Sequence, residues 1–452
     1  TYHRVSNANI GVQATYNYEQ RYYMDFSGAL VHSAKLAPGH RNAFSPSLTL
    51  GWRLKNESFL KDVEEVDDLV ISASGSIVNQ DIDISNYYLY AQFWKTDNYG
   101  YEWNDGNLSQ YVTSVRVENE DLTFVKRKEF SANVRGSFYD RALTVDATYF
   151  VQSMEGYPVR NISTWPSHLY TGYPDQTFIP YFNNNINFRQ GFDISINTYR
   201  KLGDFEFNLG ASLTAYTTLA SKYDEVYMDH RKREGKPIDG IWGYQCAGIF
   251  QSQEEIDAWA AQKLGSKVRP GDLKYIDQNG DGEVNSDDQI FLGKGGWYGN
   301  PITMGLNFSL KYKSFTLFAL ATAGTGAYGV KNSSYYWIDD QDKYSAVVRD
   351  RWTPETAATA TYPRLSVTEG ANNFVTSDFW MYSTDRIDLA KVQLTYDMPQ
   401  SVLKNNKVVK GFSAYVSGSN LLTISPEWKH MITNVGSAPQ TRFYNLGVKV
   451  VF

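Results

Sequence analysis

The strongest constraint on the fold is a two-residue repeat of apolar side chains, and it is clearest in the last segment, residues 442–452. The apolar members of this repeat are Tyr444, Leu446, Val448, Val450 and Phe452. A period of two places them on one face of a β-strand, with Asn445, Gly447 and Lys449 mainly on the other. Such a strand must pair with another, because an open edge leaves its backbone amides without partners.

The same alternation recurs along the chain, as in residues 9–18, 204–215 and 303–312. A tilted strand needs about nine to eleven residues to cross a bilayer, and only a closed barrel satisfies every backbone group in lipid. We therefore predict an all-β fold, a transmembrane antiparallel β-barrel. The side chains of 303–312 expected to face lipid are Met304, Leu306, Phe308 and Leu310. Those expected to face the interior include Thr303, Asn307 and Ser309.

The composition agrees with strands rather than helices as the membrane-crossing elements. The mean hydropathy is -0.45, and no run of about eighteen apolar residues occurs. Aromatic residues make up 15% of the chain. Several of them, such as Tyr18 and Tyr22, flank a predicted turn at 19–21, which favours an interfacial aromatic girdle. An ordinary all-β core, which also favours Tyr and Phe, is the alternative. The net charge of -6 gives no basis for binding nucleic acid.

The connections between strands alternate between short and long. Short turns are predicted at 139–141, 201–203 and 313–314, whereas residues 217–300 and 329–378 form long polar connections. We count roughly fourteen or fifteen strands, within the range of outer-membrane barrels, and expect the short turns to be periplasmic and the long loops extracellular. Ser252 and Glu255 form a capping-box pattern that predicts a helix over 252–264 in the first long loop.

Residues 277–288 carry the sharpest local motif, an acidic loop with the spacing of an EF-hand calcium site. The predicted ligands are the side chains of Asp277, Asn279, Asp281 and Asp288 and the backbone carbonyl of Glu283. The last position holds Asp where Glu is usual, and a strand-like segment rather than a helix precedes the loop. The motif therefore predicts bound Ca²⁺, and the alternative is an acidic turn that carries only water.

No arrangement of side chains in the sequence indicates an enzyme. The six histidines lack zinc-ligand spacing, and the Gly-x-Ser-x-Gly pattern of many hydrolases does not occur. The single cysteine, Cys246, excludes an internal disulfide framework. We predict no catalytic residue.

Several stretches of the sequence resemble the motifs of one known protein family. Residues 271–282, with the sequence GDLKYIDQNGDG, resemble the family's GDIKYKDxNGDG stretch. Residues 118–122 are similar to its NPDL motif, with Glu in place of the usual Pro, and residues 241–244 and 417–421 are similar to further motifs. The terminal Phe452 resembles the family's carboxyl-terminal assembly signal. Together these stretches resemble the SusC/RagA-like TonB-dependent outer-membrane transporters.

The resemblance implies an outer-membrane barrel of about 22 strands in a Gram-negative bacterium. It also implies a plug domain that contacts TonB and a SusD-like lipoprotein lid. Because too few strands and no plug are predicted, we interpret residues 1–452 as the C-terminal part of the barrel domain, with the plug absent. The expected function is uptake of a bulky nutrient, an oligosaccharide or oligopeptide. A passive pore, or a surface binding protein without transport, is the alternative. The sequence does not indicate which residues contact the substrate.

Overall fold

The computed structural model describes residues 7–84, 86–102, 105–161, 164–172, 175–296, 299–338, 345–367, 370–404, 408–432 and 441–452. The strands in the first half of the chain are β1 (Asn7–Tyr18), β2 (Tyr22–Ser33), β3 (Asn42–Arg53), β4 (Val66–Gln80), β5 (Phe93–Glu102), β6 (Leu108–Arg116), β7 (Val125–Phe138), β8 (Leu143–Val159), β9 (Tyr170–Gly172), β10 (Asp175–Thr177), β11 (Phe182–Leu202) and β12 (Phe205–Lys222).

The remaining strands are β13 (Gly240–Gly243), β14 (Cys246–Ile249), β15 (Ala261–Gln262), β16 (Leu273–Tyr275), β17 (Glu283–Val284), β18 (Ile290–Lys294), β19 (Ile302–Tyr312), β20 (Phe315–Thr325), β21 (Tyr328–Val330), β22 (Met381–Ser383), β23 (Arg386–Asp397), β24 (Gly411–Ile424) and β25 (Phe443–Val451). The α-helices are α1 (Gln253–Asp257), α2 (Gln400–Leu403) and α3 (Trp428–Ile432). Single 3-10 turns lie at Pro38–His40, Leu54–Asn56, Ser167–Leu169, Asp229–Arg231, Ser286–Asp288, Ala346–Asp350 and Asp378–Trp380. None of the described helices is long and apolar enough to cross a membrane.

One antiparallel sheet of 13 strands dominates the structure, in the order β1-β2-β3-β4-β7-β8-β11-β12-β19-β20-β23-β24-β25. The all-β antiparallel prediction is therefore confirmed. The main sheet has 13 strands, slightly fewer than the roughly fourteen or fifteen predicted, and the other described strands, including the β5–β6 hairpin, pair separately within the connections. The last strand, β25, pairs with β24 from Gly411↔Val451 to Ser419↔Phe443, so the alternating segment at 442–452 is paired, as expected for such a strand.

The register of the sheet aligns apolar side chains in continuous rows, and we call this side of the sheet the apolar face. One row runs through Trp52, Ile71, Val134, Ala147, Ile194, Leu213, Met304, Ala323, Ile387 and Ile424, each paired with the next. Side chains on the apolar face are exposed: Met304 is 42% exposed, and Leu306, two residues further along the same strand, is 48% exposed. An apolar face this large indicates lipid contact, because a soluble protein rarely exposes so wide an apolar patch.

Aromatic rings line the end of the sheet at which the short turns lie. Phe205, Tyr312, Phe315 and Tyr396 are successive cross-strand partners. The ring centroids of Phe205 and Tyr312 are 4.4 Å apart, and those of Phe315 and Tyr396 are 5.1 Å apart. Phe205 and Phe315 remain 47% and 49% exposed, so these rings form a girdle at the sheet surface rather than a buried core.

The short turns are two to four residues long and use the left-handed backbone region that tight hairpins require. Tyr139, Asp140 and Arg141 have φ angles of 58°, 56° and 60°, and Lys313 has 51°. The turn predicted at 201–203 lies slightly later in the chain. Leu202 already pairs with Phe205, and Gly203, with φ of 60°, opens the turn.

Two long connections leave the opposite end of the sheet. L1, residues 223–301, joins β12 to β19, and L2, residues 326–385, joins β20 to β23. The loops predicted at 217–300 and 329–378 overlap these two connections, whose ends differ by a few residues. The predicted helix over 252–264 was wrong in extent, because α1 ends at Asp257 and Ala261–Gln262 pair in parallel with Glu283–Val284. Packing of the loop overrides helix propensity there.

Candidate functional site

L1 and L2 fold together into one packed body, which we call the loop unit. Its buried core takes side chains from both loops. L1 contributes Tyr244, Leu273, Tyr275 and Val284, and L2 contributes Tyr336, Tyr362 and Trp380. Burial of large aromatic side chains is the main source of stability for such a body. The two connections are therefore not separate surface loops.

A buried ion pair joins the two loops at this core. Asp272 of L1 is fully buried, and Nε of Arg364 from L2 lies 2.7 Å from its Oδ1. Nη2 of Arg364 donates the better-aligned hydrogen bond, 3.0 Å to Oδ2, and Nδ2 of Asn373 donates to Oδ1 at 2.8 Å. Burial raises the pKa of Asp272, and the Arg364 guanidinium opposes that rise. The carboxylate is tolerated because its oxygens are paired.

Backbone and amide hydrogen bonds extend the junction between L1 and L2. The backbone N–H of Leu273 donates to Oδ1 of Asn373, and Nδ2 of Asn372 donates to the carbonyl of Leu273, each at 2.8 Å. The N–H of Tyr244 donates to the carbonyl of Thr376 at 2.9 Å. These bonds fix the relative position of the two loops.

The connection between β24 and β25 also contacts the loop unit. His430 in α3 lies with Nδ1 2.7 Å from the hydroxyl of Tyr336, and its ring centroid is 5.8 Å from that of Tyr382. Burial is the main cause of a lowered pKa for His430. The neutral imidazole can then accept the hydrogen bond from Tyr336.

A cavity of about 780 Å³ lies where the loop unit meets the sheet. Its lining includes Asn187, Ala220, Tyr223, Arg233, Trp242, Tyr328, Asn332 and Tyr382. Asn187 and Ala220 are cross-strand partners in β11 and β12, and the period of two places them opposite the face that carries Ile194 and Leu213. The cavity therefore opens on the polar face of the sheet, which is the inner face of a barrel.

Basic side chains surround the ring of Tyr216 next to this cavity. Nζ of Lys294 lies 4.3 Å from the ring centroid, and the guanidinium carbon of Arg189 lies 5.0 Å from it. Lys294 is also 4.0 Å from Oδ1 of Asp239, a fully buried carboxylate. Burial lowers the pKa of Lys294, and Asp239 opposes the decrease. The cation–π contact of Lys294 with Tyr216 thus joins the base of L1 to the sheet, and the ion pair of Lys294 with Asp239 lies within L1.

The predicted calcium loop lies in L1, and its side chains are engaged with the backbone of the loop itself. The carboxylate of Asp277 accepts from the N–H groups of Gly280 at 2.7 Å and Gly282 at 2.8 Å. Asp281 accepts from the N–H of Glu283 at 2.8 Å, and Oδ1 of Asn279 accepts from the N–H of Asp281 at 2.9 Å. These are the bonds of a series of tight Asx turns.

Asp288 closes the loop from its carboxyl-terminal side. It is fully buried, and its two oxygens accept from the N–H groups of Gln278 at 2.9 Å and Asn285 at 2.7 Å. Among the described residues, no three His, Cys, Asp or Glu side chains converge as metal ligands would. The geometry is that of a loop closed by its own backbone. Calcium binding by Asp277, Asn279, Asp281, Glu283 and Asp288 stays a prediction.

Sequence reasoning missed the residues of the cavity. They come from two strands of the sheet and from both loops, so no local spacing marks them. The segment 241–244, which includes Trp242, stood out only because it resembles a family motif. The ion pair of Asp272 and Arg364 could not be predicted either, because 92 residues separate its members.

The fold and the apolar face define a transmembrane β-barrel protein of the outer-membrane type. Comparison with known proteins agrees. The chain is 26% identical to TonB-dependent receptor P26 of Formosa agariphila over 97% of its own length and 45% of that protein. It is 23% identical to the TonB-dependent receptor SusC of Bacteroides thetaiotaomicron over 66% of its length and 29% of that protein. No family model matches the chain.

Among solved structures, the RagAB peptide importer in its open-open state matches with a TM-score of 0.76 at 16% identity, over 99% of this chain and 47% of that one. The chain thus spans about half the length of the relatives and structures that it matches. The resemblance to SusC/RagA-like TonB-dependent transporters is confirmed, and the chain is an outer-membrane protein of a Gram-negative bacterium. The relatives named above are receptors rather than enzymes.

Proposed function

We propose that this chain forms the C-terminal part of the barrel of a TonB-dependent transporter that imports a bulky nutrient, an oligosaccharide or an oligopeptide. The observation that carries the proposal is the cavity on the polar face of the sheet, directly beneath the loop unit. A solute held there has passed the loops and lies inside the barrel wall. Its further passage would depend on a plug domain outside this chain that contacts TonB.

The loop unit also offers a surface for a partner protein. Val226 and Met228 of L1 are 68% and 52% exposed, and Trp259 is 37% exposed. Exposed apolar side chains on a rigid, packed body are typical of a protein–protein interface. We propose that a SusD-like lipoprotein lid docks on this surface, as the relation to SusC and RagAB suggests.

The lid proposal is tested by the double variant Val226→Asp and Met228→Asp in the intact transporter. Recovery of the lipoprotein in a pull-down from detergent-solubilised outer membranes should fall, while Lys267→Asp, an exposed change elsewhere in L1, should leave it unchanged. Equal recovery with the double variant would refute this interface.

Nutrient uptake in cells with and without TonB tests the transport proposal. Uptake that requires TonB supports active import. Uptake that persists without TonB would indicate a passive pore, and surface binding with no uptake would indicate a binding protein.

A further inference from the structure

On the basis of the import function proposed above, we propose that the cavity between the polar face and the loop unit binds an acidic oligosaccharide, one that carries carboxylate or sulfate groups. Three features of the cavity lead to this ligand class: the sign of its charges, the flat aromatic rings in its wall and the amides among them.

The charge at the cavity is positive. Arg233 is the only charged side chain in the lining among the described residues. Its guanidinium contacts the ring of Tyr223 at 5.6 Å and donates to the Tyr223 hydroxyl at 3.3 Å. Neither contact neutralises its charge, and most of its N–H groups remain available to a carboxylate or sulfate.

Two basic groups lie just behind the lining. Lys294 immediately precedes the lining residue Gly295, and Arg189 lies on the same face of β11 as the lining residue Asn187. Asp239 offsets the charge of Lys294, so the positive sign rests on Arg233 and Arg189. Asp239 faces Lys294 at 4.0 Å, and Glu225 accepts from the backbone N–H of Arg233 at 2.6 Å. The cavity should therefore attract anions and repel cations.

The wall of the cavity suits sugar rings. Trp242, Tyr328 and Tyr382 present flat apolar surfaces. A Cβ at Gly329 would lie 2.5 Å from the Tyr382 ring, so this glycine permits the ring to lie against β21. A sugar offers C–H faces that pack on such rings, and hydroxyls that need donors and acceptors such as Asn187 and Asn332. The volume of about 780 Å³ falls within the usual range for small-molecule sites.

An oligopeptide fits these groups less well. Its amino terminus carries a positive charge, and no carboxylate lines the cavity in the part of the chain that the structure describes. A buried ammonium without an acceptor is costly. An acidic peptide shares the anionic groups but lacks the sugar rings, so it serves as the discriminating probe.

The test is calorimetric binding to the purified intact transporter in detergent. The probes are tetragalacturonate, which carries carboxylates, a sulfated carrageenan tetrasaccharide, neutral maltotetraose and the peptide tetra-aspartate. At least one acidic tetrasaccharide should bind about tenfold more tightly than maltotetraose and tetra-aspartate. Arg233→Gln should weaken that binding about tenfold, as expected for loss of a hydrogen bond between charged groups.

Two further variants keep the test specific. Tyr328→Ala, at a 42% exposed position, should also weaken the binding, because it removes a ring without disturbing the core. Arg135→Gln, which changes an arginine on the polar face near the short turns, should not. Absence of binding by both acidic sugars, equal binding of tetra-aspartate, or full affinity in Arg233→Gln would overturn the proposal.

TonB-dependent uptake without acidic-sugar binding would refute only this ligand class, whereas acidic-sugar binding without TonB-dependent uptake would refute only the import function.

Discussion

Arg364 and Asp272 lie 92 residues apart in the chain and meet in a buried pair, with Nη2 of the arginine 3.0 Å from Oδ2 of the aspartate. The side chain of Asp272 is fully buried, and that of Arg364 is 14% exposed. The pair connects L1 to L2 beside an aromatic core that both loops share. It therefore helps two connections from different hairpins act as a single body above the cavity.

The first prediction concerns this pair. Arg364→Met removes one partner and leaves a buried carboxylate uncompensated, which should destabilise the loop unit by roughly 3–5 kcal/mol. Limited proteolysis of the purified intact protein should then cut within L1 and L2 while the sheet stays protected. Arg351→Met, an exposed change in the same loop, is the matched control and should leave the pattern unchanged. Equal protection of both variants would show that the pair does not hold the loops together.

The second prediction is the pH dependence of that variant. Burial raises the pKa of Asp272, so the folded loop unit favours the protonated form. The stability that this shift contributes is fully present below the unfolded pKa, about 3.9, and is lost as the pH rises through the higher folded pKa. Arg364→Met removes the positive charge that limits the rise in the pKa of Asp272. The loss of loop-unit stability in this variant, relative to wild type, should therefore be largest near neutral pH and decrease on acidification. A loss of stability that does not change with pH would show that the charge on Asp272 is not its cause.

The third prediction tests the apolar face. Leu213 lies in the apolar row between Ile194 and Met304, whereas its neighbour Thr214 points to the opposite face, where its hydroxyl donates to Asp193 at 2.7 Å. Leu213→Arg should destabilise the barrel by about 2–4 kcal/mol, the cost of an arginine near the middle of the lipid face. Thr214→Arg should be tolerated. The measurement is the heat-modifiable folded fraction in outer-membrane preparations, and similar losses in both variants would contradict the assigned faces.

The fourth prediction concerns the acidic loop. Asp288→Ala removes the acceptor for the N–H groups of Gln278 and Asn285, each of which would be left unsatisfied at a cost of about 1–3 kcal/mol. Protease cleavage within residues 277–288 should therefore increase even in the presence of a chelator. Unchanged protection in the chelated variant would show that these bonds do not hold the loop.

The same assay tests the calcium prediction in the wild-type protein. If Asp277, Asn279, Asp281 and Asp288 bind calcium, added calcium should increase protection of this segment beyond that seen with chelator. Identical protection with and without calcium would leave a turn closed by its backbone, the alternative that the sequence left open.

Much of the sheet could be predicted because alternation is a direct consequence of strand geometry. Residues 303–312 have one apolar and one polar side, and the strand runs over Ile302–Tyr312. The last residues of β12 were not predicted to be strand, because Thr217, Thr218 and Ser221 interrupt the alternation. The strand nevertheless continues to Lys222. A strand that extends beyond the apolar row is no longer constrained by lipid on one side, so the repeat disappears before the pairing does.

The candidate site was far less accessible to sequence reasoning. Arg233, Trp242 and Tyr328 meet only because the loop unit packs on the sheet, and their spacing carries no periodic signal. The predicted helix over 252–264 failed for a related reason. The capping bond from the Glu255 N–H to Ser252 forms, at 3.3 Å, but Ala261 donates to Gly282 across the loop instead of continuing the helix. Contacts between residues far apart in the chain determine both the lining of the cavity and the end of the helix.

The central claim is that the chain crosses the outer membrane with the loop unit outside and the short turns inside. Its most direct test is cysteine labelling of intact cells with a membrane-impermeant maleimide, in a Cys246→Ser background of the intact protein. Lys267→Cys in L1 should be labelled in intact cells, whereas Asp204→Cys in the turn between β11 and β12 should be labelled only after the outer membrane is permeabilised. Labelling of Asp204→Cys in intact cells, or protection of Lys267→Cys, would contradict the account.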